Sequence, residues 1–148
     1  AGPTSIGVES TVLDLTTPTP TLLRPGGVSL ETLRALLGEV ALGGRAASGA
    51  VLASPGLLDR HYAPESALWL AVGPADAARS WLRERAAAAL AAGQRVGLLV
   101  PVEDAALLAD LGADAEPLGP SDDLDGVARR LYAALRALDA RRPDLILA

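Results

Sequence analysis

The segment Arg95–Val100 constrains the fold of this chain most strongly, because it is a nearly continuous apolar run that ends at Pro101. A run without polar alternation is typical of a parallel strand that is covered on both faces. It lies between two segments with helical signals, Pro74–Ala92 and Glu103–Leu111, each followed by a glycine. Strands that alternate with helices imply parallel pairing through right-handed crossovers. We therefore predict a Rossmann-like, three-layer α/β domain with a mostly parallel sheet over residues 65–148.

The rest of this predicted domain continues the alternation. Further strands are predicted at Ala67–Val72, Ala115–Leu118 and Leu145–Leu147, and a long helix at Asp122–Arg142. Aspartates at the start of that helix and arginines at its end suit the helix dipole, an interpretation that we favour over a cation site for the acidic residues. No helix follows the last strand, so we expect that the domain has a further C-terminal element beyond this sequence.

The N-terminal forty residues predict a smaller unit. Ile6–Leu15 is rich in β-branched residues, and Thr21–Arg24 is a second short strand after a Thr/Pro turn. Ser29 is placed to cap a following helix. A hairpin and one helix bury too little to be stable alone. We therefore assign residues 1–42 to the end of a larger domain and residues 43–64, rich in Gly, Ala and Ser near their start, to a linker.

Composition excludes several kinds of chemistry. The chain has no cysteine and one histidine, so thiolate metal sites and cysteine nucleophiles are excluded, and we predict no metal ligands. A net charge of −5, with 13 basic residues that are all arginine, does not suit a free-standing nucleic-acid binder. No apolar run approaches the roughly 18 residues that cross a bilayer, and no dinucleotide or P-loop fingerprint occurs. We expect a cytoplasmic protein without a membrane partner.

The predicted hairpin holds one group of candidate binding residues. Glu9, Ser10 and Thr11 follow one another in its first strand, and Arg24 ends the second strand directly before Pro25. The residue before a proline favours extended backbone, so Arg24 should be held at the strand end. Its planar fork suits phosphate or carboxylate, and the hydroxyls suit an amino acid or phosphate oxygens. An ordinary Ser/Thr pair in a strand with a surface arginine is the alternative.

A second group lies in Ser54–Pro64, which holds the single histidine and one of the two tyrosines. Pro55 and Pro64, near its two ends, disfavour a continuous helix or a central strand. We predict a stiff, irregular segment that presents His61 and Tyr62 side by side, because loops held by a scaffold often carry binding groups. A proline-braced linker whose polar residues only face water is the alternative.

Three short motifs carry a resemblance to a known family. They are Ser-Ile-Gly-x-Glu-Ser-Thr-Val-Leu-Asp at residues 5–14, Leu-Leu-Arg-Pro-Gly at 22–26, and Pro-Gly, four residues and His-Tyr-Ala-Pro at 55–64. In this order, with an α/β domain behind them, they closely resemble the long-form threonylcarbamoyl-AMP synthases. In that family a YrdC-like catalytic domain precedes a linker and a small α/β domain. The resemblance implies that the chain is a C-terminal portion of such an enzyme.

The resemblance also implies an activity and roles for single residues. The family is a nucleotidyltransferase that forms threonylcarbamoyl-adenylate and pyrophosphate from L-threonine, bicarbonate and ATP with Mg²⁺, for threonylcarbamoyladenosine modification of tRNA. Ser10 would contact the threonine, Arg24 would contact the ATP phosphates, and His61 and Tyr62 would close over the nucleotide as a lid. Other proteins of tRNA threonylcarbamoylation would be candidate partners.

Part of the family pattern does not occur in this sequence. A basic Lys/Arg motif and a Ser-Ala-Asn segment precede the matched motifs in the family, so the catalytic residues stay unidentified and the chain alone is expected to be inactive. The linker has Leu58-Asp59 where the family often has Lys-Tyr.

Two other functions are alternatives to this enzyme. A small-molecule-binding regulatory α/β module would bind its ligand at the carboxyl ends of strands, near Val100–Glu103. A structural interaction domain would position partners of the tRNA-modifying assembly and would tolerate the loss of His61 and Tyr62.

Overall fold

A computed structural model describes residues 6–43 and 63–148 of the chain. The chain divides into two compact units, one within residues 8–63 and one formed mainly by residues 64–148. Each unit has its own β-sheet, with three strands in the first and four in the second. The domain limits 1–42, 43–64 and 65–148 stay a prediction.

The first unit contains the predicted hairpin and helix. Strand β1 (Val12–Asp14) pairs antiparallel with β2 (Thr21–Arg24), and helix α1 (Leu30–Leu37) follows. Strand β3 (Ala41–Leu42) then pairs parallel with β2. The sequence analysis did not predict β3, because two exposed residues carry no periodic pattern. Buried leucine and valine side chains from β2, from α1 and from the residue directly before β3 form the small core of this unit: Leu22, Leu33 and Val40.

Helix α1 begins where the sequence predicted. The Ser29 hydroxyl accepts the backbone N–H of Thr32 at 3.2 Å, which satisfies one of the donors that a helix leaves unpaired at its N-terminus. Gly38 ends the helix with a φ of +81°, a positive value that glycine adopts without strain.

The second unit is an α/β domain with an all-parallel sheet in the order β4-β7-β5-β6. Its strands are β4 (Ala67–Trp69), β5 (Val96–Val100), β6 (Asp114–Pro117) and β7 (Leu145–Leu147). Its helices are α2 (Ala75–Ala91), α3 (Val102–Leu107) and α4 (Leu124–Asp139), with a single 3₁₀ turn at Ala109–Leu111. The predicted α/β fold class with a parallel sheet is confirmed.

The apolar run that opened the sequence analysis lies inside the sheet. Every residue of β5 is buried, and its side chains enter two different clusters. Leu98 and Val100 join a cluster with α2, while Leu99 packs with Leu138 of α4. Full burial of such a side chain stabilises the fold by about 1.5–3 kcal/mol. The sheet therefore has helices on both faces, which is the predicted three-layer arrangement.

The strand order explains why α4 lies on its own face. The connections from β4 to β5 and from β5 to β6 run in one direction along the sheet, and the connection from β6 to β7 runs back. Right-handed crossovers in opposite directions place their helices on opposite faces. A Cβ at Gly97 of β5 would lie 3.0 Å from the side chain of Leu138, so this glycine allows α4 to approach the sheet closely.

Candidate functional site

A β-bulge positions the arginine of the first unit. Asp14 pairs with Thr21 and Leu13 with Leu22, but Val12 pairs with Arg24, so Leu23 is an extra residue in β2. A bulge of this kind bends its strand and changes the direction of the side chains beside it. Arg24 therefore ends β2 with its side chain directed at the residues before β1.

The guanidinium of Arg24 contacts two consecutive residues. Nη1 lies 3.0 Å from the Oε2 atom of Glu9. Nε donates to the backbone carbonyl of Ser10 at 3.1 Å, and Nη2 donates to the Ser10 hydroxyl at 3.1 Å. Only 17% of the Arg24 side chain is exposed. We call these three residues, Glu9, Ser10 and Arg24, the arginine cluster. The structure brings Ser10 and Arg24, two of the predicted site residues, into direct contact, and their roles in binding stay a prediction.

The loop after β2 is fixed to the same segment. Gly27 donates its N–H to the Glu9 carbonyl at 3.2 Å. The Thr11 hydroxyl donates to the Val28 carbonyl at 2.8 Å and accepts the Val28 N–H at 2.9 Å. A Cβ at Gly26 would lie 2.3 Å from the Glu9 carbonyl oxygen, so no larger residue fits there without a backbone shift. The loop therefore holds the arginine cluster in place.

The two adjacent hydroxyls of the sequence motif have different tasks. The Thr11 hydroxyl is committed to the backbone of Val28, whereas Ser10 is exposed and contacts Arg24. The sequence analysis did not assign roles to Glu9 or Gly26. The sequence feature that could have indicated these roles is the spacing that places Glu-Ser-Thr opposite Arg-Pro-Gly in a hairpin.

The predicted nucleotide-binding residues His61 and Tyr62 lie outside the described residues. The same is true of most of the segment Ser54–Pro64 in which they occur. Their roles stay a prediction.

The regulatory alternative predicts a ligand at the carboxyl ends of the strands in the second unit. The Glu103 carboxylate accepts the N–H of Ser121 at 3.2 Å, and the backbone N–H groups of Glu103 itself and of Ser121 hold its pKa below the usual range. Val102 donates its N–H to the Gly119 carbonyl at 3.0 Å. These contacts tie the segment Val100–Glu103 to the neighbouring loop.

A groove of about 480 Å³ lies beside β4 and α2. Only apolar side chains line it: Leu70, Ala71, Val72, Ala77, Ala78 and Trp81. Ligand sites usually add a few convergent polar groups to an apolar wall. The lining of this groove therefore does not favour a nucleotide.

Most charged side chains that the structure describes in the second unit form surface ion pairs. Arg79 Nε lies 2.7 Å from Asp104, and Arg83 Nη1 lies 2.7 Å from Asp110. In the loop after α4, Arg141 pairs with two acidic residues of β6, and Asp144 pairs with Arg95 just before β5. Within residues 6–43 and 63–148, no three His, Asp or Glu side chains are grouped as a metal site. No helix in these ranges is long and apolar enough to span a membrane.

The described residues form an α/β protein in which a parallel-sheet domain follows, along the chain, a hairpin unit with an arginine–hydroxyl–carboxylate cluster. Residues 28–148 match the family described as threonylcarbamoyl-AMP synthase, C-terminal domain. The chain belongs to this family. The resemblance given by the three sequence motifs is confirmed.

Two curated relatives carry the name threonylcarbamoyl-AMP synthase. The protein from Pyrococcus abyssi is 38% identical over 151 residues, which covers 99% of this chain and 42% of the relative. The protein from Bacillus subtilis is 36% identical over 149 residues, which covers 99% of this chain and 41% of the relative. The chain therefore spans about two fifths of the length of these relatives.

Two solved structures share the fold. The crystal structure of P. abyssi Sua5 complexed with L-threonine matches with a TM-score of 0.82 at 36% identity. The match covers 98% of this chain and 41% of the P. abyssi chain. A variant of P. abyssi Sua5 in which an adjacent histidine and tyrosine are both replaced by alanine has a TM-score of 0.76 at 30% identity. That match covers 97% of this chain and 40% of the chain of the variant.

Proposed function

We propose that the protein containing this chain is an L-threonylcarbamoyladenylate synthase. It would form threonylcarbamoyl-AMP and pyrophosphate from L-threonine, bicarbonate and ATP, and the product would supply the threonylcarbamoyladenosine modification of tRNA. Family membership and the names of both curated relatives support this assignment. We place the protein in the cytoplasm, with other proteins of tRNA threonylcarbamoylation as partners.

The arginine cluster is the observation that carries the proposal. It joins a cation, an exposed hydroxyl and a carboxylate within 3.1 Å contacts, and it lies in a chain that covers two fifths of a relative solved with L-threonine. Ser10 would contact the threonine, because an exposed hydroxyl can bond the polar groups of an amino acid. Arg24 would neutralise the ATP phosphates, since a guanidinium fork matches phosphate oxygens.

The reaction proceeds in two steps. The threonine amino group adds to the carbon of bicarbonate and water leaves, which gives a carbamate. A carbamate oxygen then attacks the α-phosphorus of ATP and pyrophosphate leaves. Negative charge accumulates on the leaving phosphates, so fixed positive charge would lower the barrier. Mg²⁺ would arrive as the counter-ion of ATP and is part of the substrate.

We propose that His61 and Tyr62 contact the nucleotide. The support is chemical and comparative: the chain has one histidine, a tyrosine follows it directly, and the second solved relative carries alanine at an adjacent histidine and tyrosine. Both side chains offer hydrogen-bonding groups and an aromatic face that suit a nucleotide.

The 148-residue chain is proposed to be inactive alone. It spans about 42% of the P. abyssi relative, and the basic Lys/Arg motif and the Ser-Ala-Asn segment of the family do not occur in its sequence. Substrate positioning by the missing motifs would be lost, and positioning can account for several kcal/mol of a barrier.

Pyrophosphate release tests the proposal. The protein containing this chain is mixed with ATP and Mg²⁺, with L-threonine and bicarbonate added singly or together. We expect pyrophosphate only when both are present, a strong reduction in the Ser10→Ala variant, and none from the 148-residue chain alone. Release that does not depend on threonine would contradict the assigned reaction, and full release by the isolated chain would contradict the need for the rest of the enzyme.

A further inference from the structure

We propose that Glu9 and Arg24 are positioning residues that fix the Ser10 hydroxyl as a hydrogen-bond donor to the carboxylate of the amino-acid substrate. This inference rests on the proposed function and adds to it. It assigns Glu9 a role and gives Arg24 a task on the amino-acid side of the site, in addition to any contact with phosphate.

The geometry immobilises the guanidinium. Nε and Nη2 lie on one edge of the planar group, and they bond the carbonyl and the hydroxyl of the same residue, Ser10, each at 3.1 Å. Nη1 faces Glu9 Oε2 at 3.0 Å. Contacts from all three nitrogens oppose rotation of the plane, and a two-point contact fixes direction as well as distance.

The same contacts orient the hydroxyl of Ser10. An arginine has donors only, so the Arg24–Ser10 bond uses Ser10 Oγ as the acceptor. The single hydroxyl hydrogen must then point elsewhere, and the exposure of Ser10 leaves it accessible to a ligand. A hydroxyl that accepts from a cation becomes a stronger donor, because hydrogen bonds in a chain polarise one another.

A hydroxyl prepared in this way selects an acceptor. The substrate amino acid offers a carboxylate, which accepts, and an ammonium group, which donates. A positively charged guanidinium nitrogen lies 3.1 Å from Ser10 Oγ, and positive charge attracts a carboxylate and repels an ammonium group. The carboxylate is therefore the group that Ser10 binds.

Glu9 completes the arrangement. The Glu9 side chain is 27% exposed, and its carboxylate pairs with Nη1, while Nε and Nη2 bond Ser10. Loss of this ion pair would leave the guanidinium less firmly held and the Ser10 hydroxyl less well oriented. Glu9→Gln keeps an oxygen acceptor of the same shape and removes the charge, so its effect should be smaller than that of removing Arg24.

A double-mutant cycle tests the inference in the protein that contains this chain. KM for L-threonine and KM for ATP are measured by pyrophosphate release for the wild type, Ser10→Ala, Arg24→Gln, the double variant and Glu9→Gln. Arg34→Gln is the matched control, because Arg34 lies in the same unit, outside the arginine cluster, and its Nη2 donates to the backbone carbonyl of Val40 at 3.4 Å.

We expect Ser10→Ala and Arg24→Gln each to raise KM for L-threonine roughly tenfold, the effect of one hydrogen bond, and the double variant to raise it no further. Glu9→Gln should raise it about threefold, and Arg34→Gln should leave it unchanged. Independent effects that multiply in the double variant would overturn the inference. So would a rise in KM for ATP alone when Arg24 is replaced.

A second measurement separates this inference from the proposed function. L-threonine and L-threoninol, which lacks the carboxylate, are titrated into the wild type and into Ser10→Ala. The wild type should prefer L-threonine, and Ser10→Ala should lose most of that preference. An active wild type with an unchanged preference in Ser10→Ala refutes only the role of the cluster. A wild type that neither releases pyrophosphate nor binds L-threonine refutes the proposed function and the inference together.

Discussion

The carboxylate of Asp139 binds Ser66 across 73 positions of the chain, accepting its N–H at 3.0 Å and its hydroxyl at 2.7 Å. The N–H of Glu65 is a third donor, at 3.0 Å. Asp139 is the last residue of α4, where the helix dipole disfavours a negative charge. Three hydrogen bonds offset this cost and fasten the chain just before β4 to the end of α4.

Replacement of Asp139 should make the stability of the second unit less dependent on pH. The N–H of Ser66, followed by the N–H of Glu65 and the hydroxyl of Ser66, holds the pKa of Asp139 below its usual range. Because the pKa is lower in the folded state, the stabilisation is present above the unfolded value of about 3.9 and is lost as the pH falls through the folded value.

Urea unfolding at pH 7 and pH 3 measures this effect through tryptophan fluorescence, since both tryptophans of the chain lie in the second unit. Asp139→Asn should lower the free energy of unfolding by about 1–2 kcal/mol at pH 7 and by less at pH 3, where the wild type has begun to lose this stabilisation. Other carboxylates titrate in both proteins, so their contribution cancels in the difference between the unfolding free energies of the wild type and the variant. An equal loss at both pH values would show that the charge of Asp139 has no role.

Gly97 and Leu138 should be energetically coupled. A Cβ at Gly97 would lie 3.0 Å from three atoms of the Leu138 side chain, and Leu138 is fully buried. Gly97→Ala should destabilise the second unit by about 1–3 kcal/mol through overpacking, and Leu138→Ala by about 2–5 kcal/mol through a cavity. In the double variant the new methyl group enters the cavity, so the measured loss should be smaller than the sum. Additive losses would contradict this contact.

The Thr11 hydroxyl should protect the backbone of Val28. Thr11→Val keeps the shape of the side chain and removes both hydrogen bonds to Val28, each worth about 0.5–1.5 kcal/mol. We expect faster hydrogen exchange at the Val28 amide in Thr11→Val and near-normal exchange in Thr11→Ser, which keeps the hydroxyl. Equal protection in wild type and Thr11→Val would mean that the loop is held by other contacts.

The sequence predicted the elements whose signals are local. The unbroken apolar run of β5 indicated a covered parallel strand, and Ser29 indicated the start of α1 through its capping hydroxyl. Asp123 likewise caps α4 by accepting the N–H of Gly126 at 2.8 Å, in agreement with the helix-start interpretation of the acidic residues. The predicted ends of the elements were less accurate. The strand predicted to end at Val72 stops at Trp69, and the helix predicted for Asp122–Arg142 runs from Leu124 to Asp139.

Features that depend on long-range pairing could not be predicted. The central position of β7 between β4 and β5 is a property of strand order, which a strand's own residues do not encode. The extra residue Leu23 in β2 is visible only from the register against β1. Because that bulge directs Arg24, the sequence could propose Ser10 and Arg24 as site residues but could not show the Glu9 contact that fixes them.

Calorimetric titration with L-threonine tests the central claim most directly, which is that the arginine cluster belongs to an amino-acid site. The titration compares the protein containing this chain with its Ser10→Ala variant, with Arg34→Gln as a control that should bind normally. We predict saturable binding to the wild type and binding at least about tenfold weaker to Ser10→Ala, the cost of one charge-assisted hydrogen bond. Equal affinity of the wild type and Ser10→Ala would contradict the account.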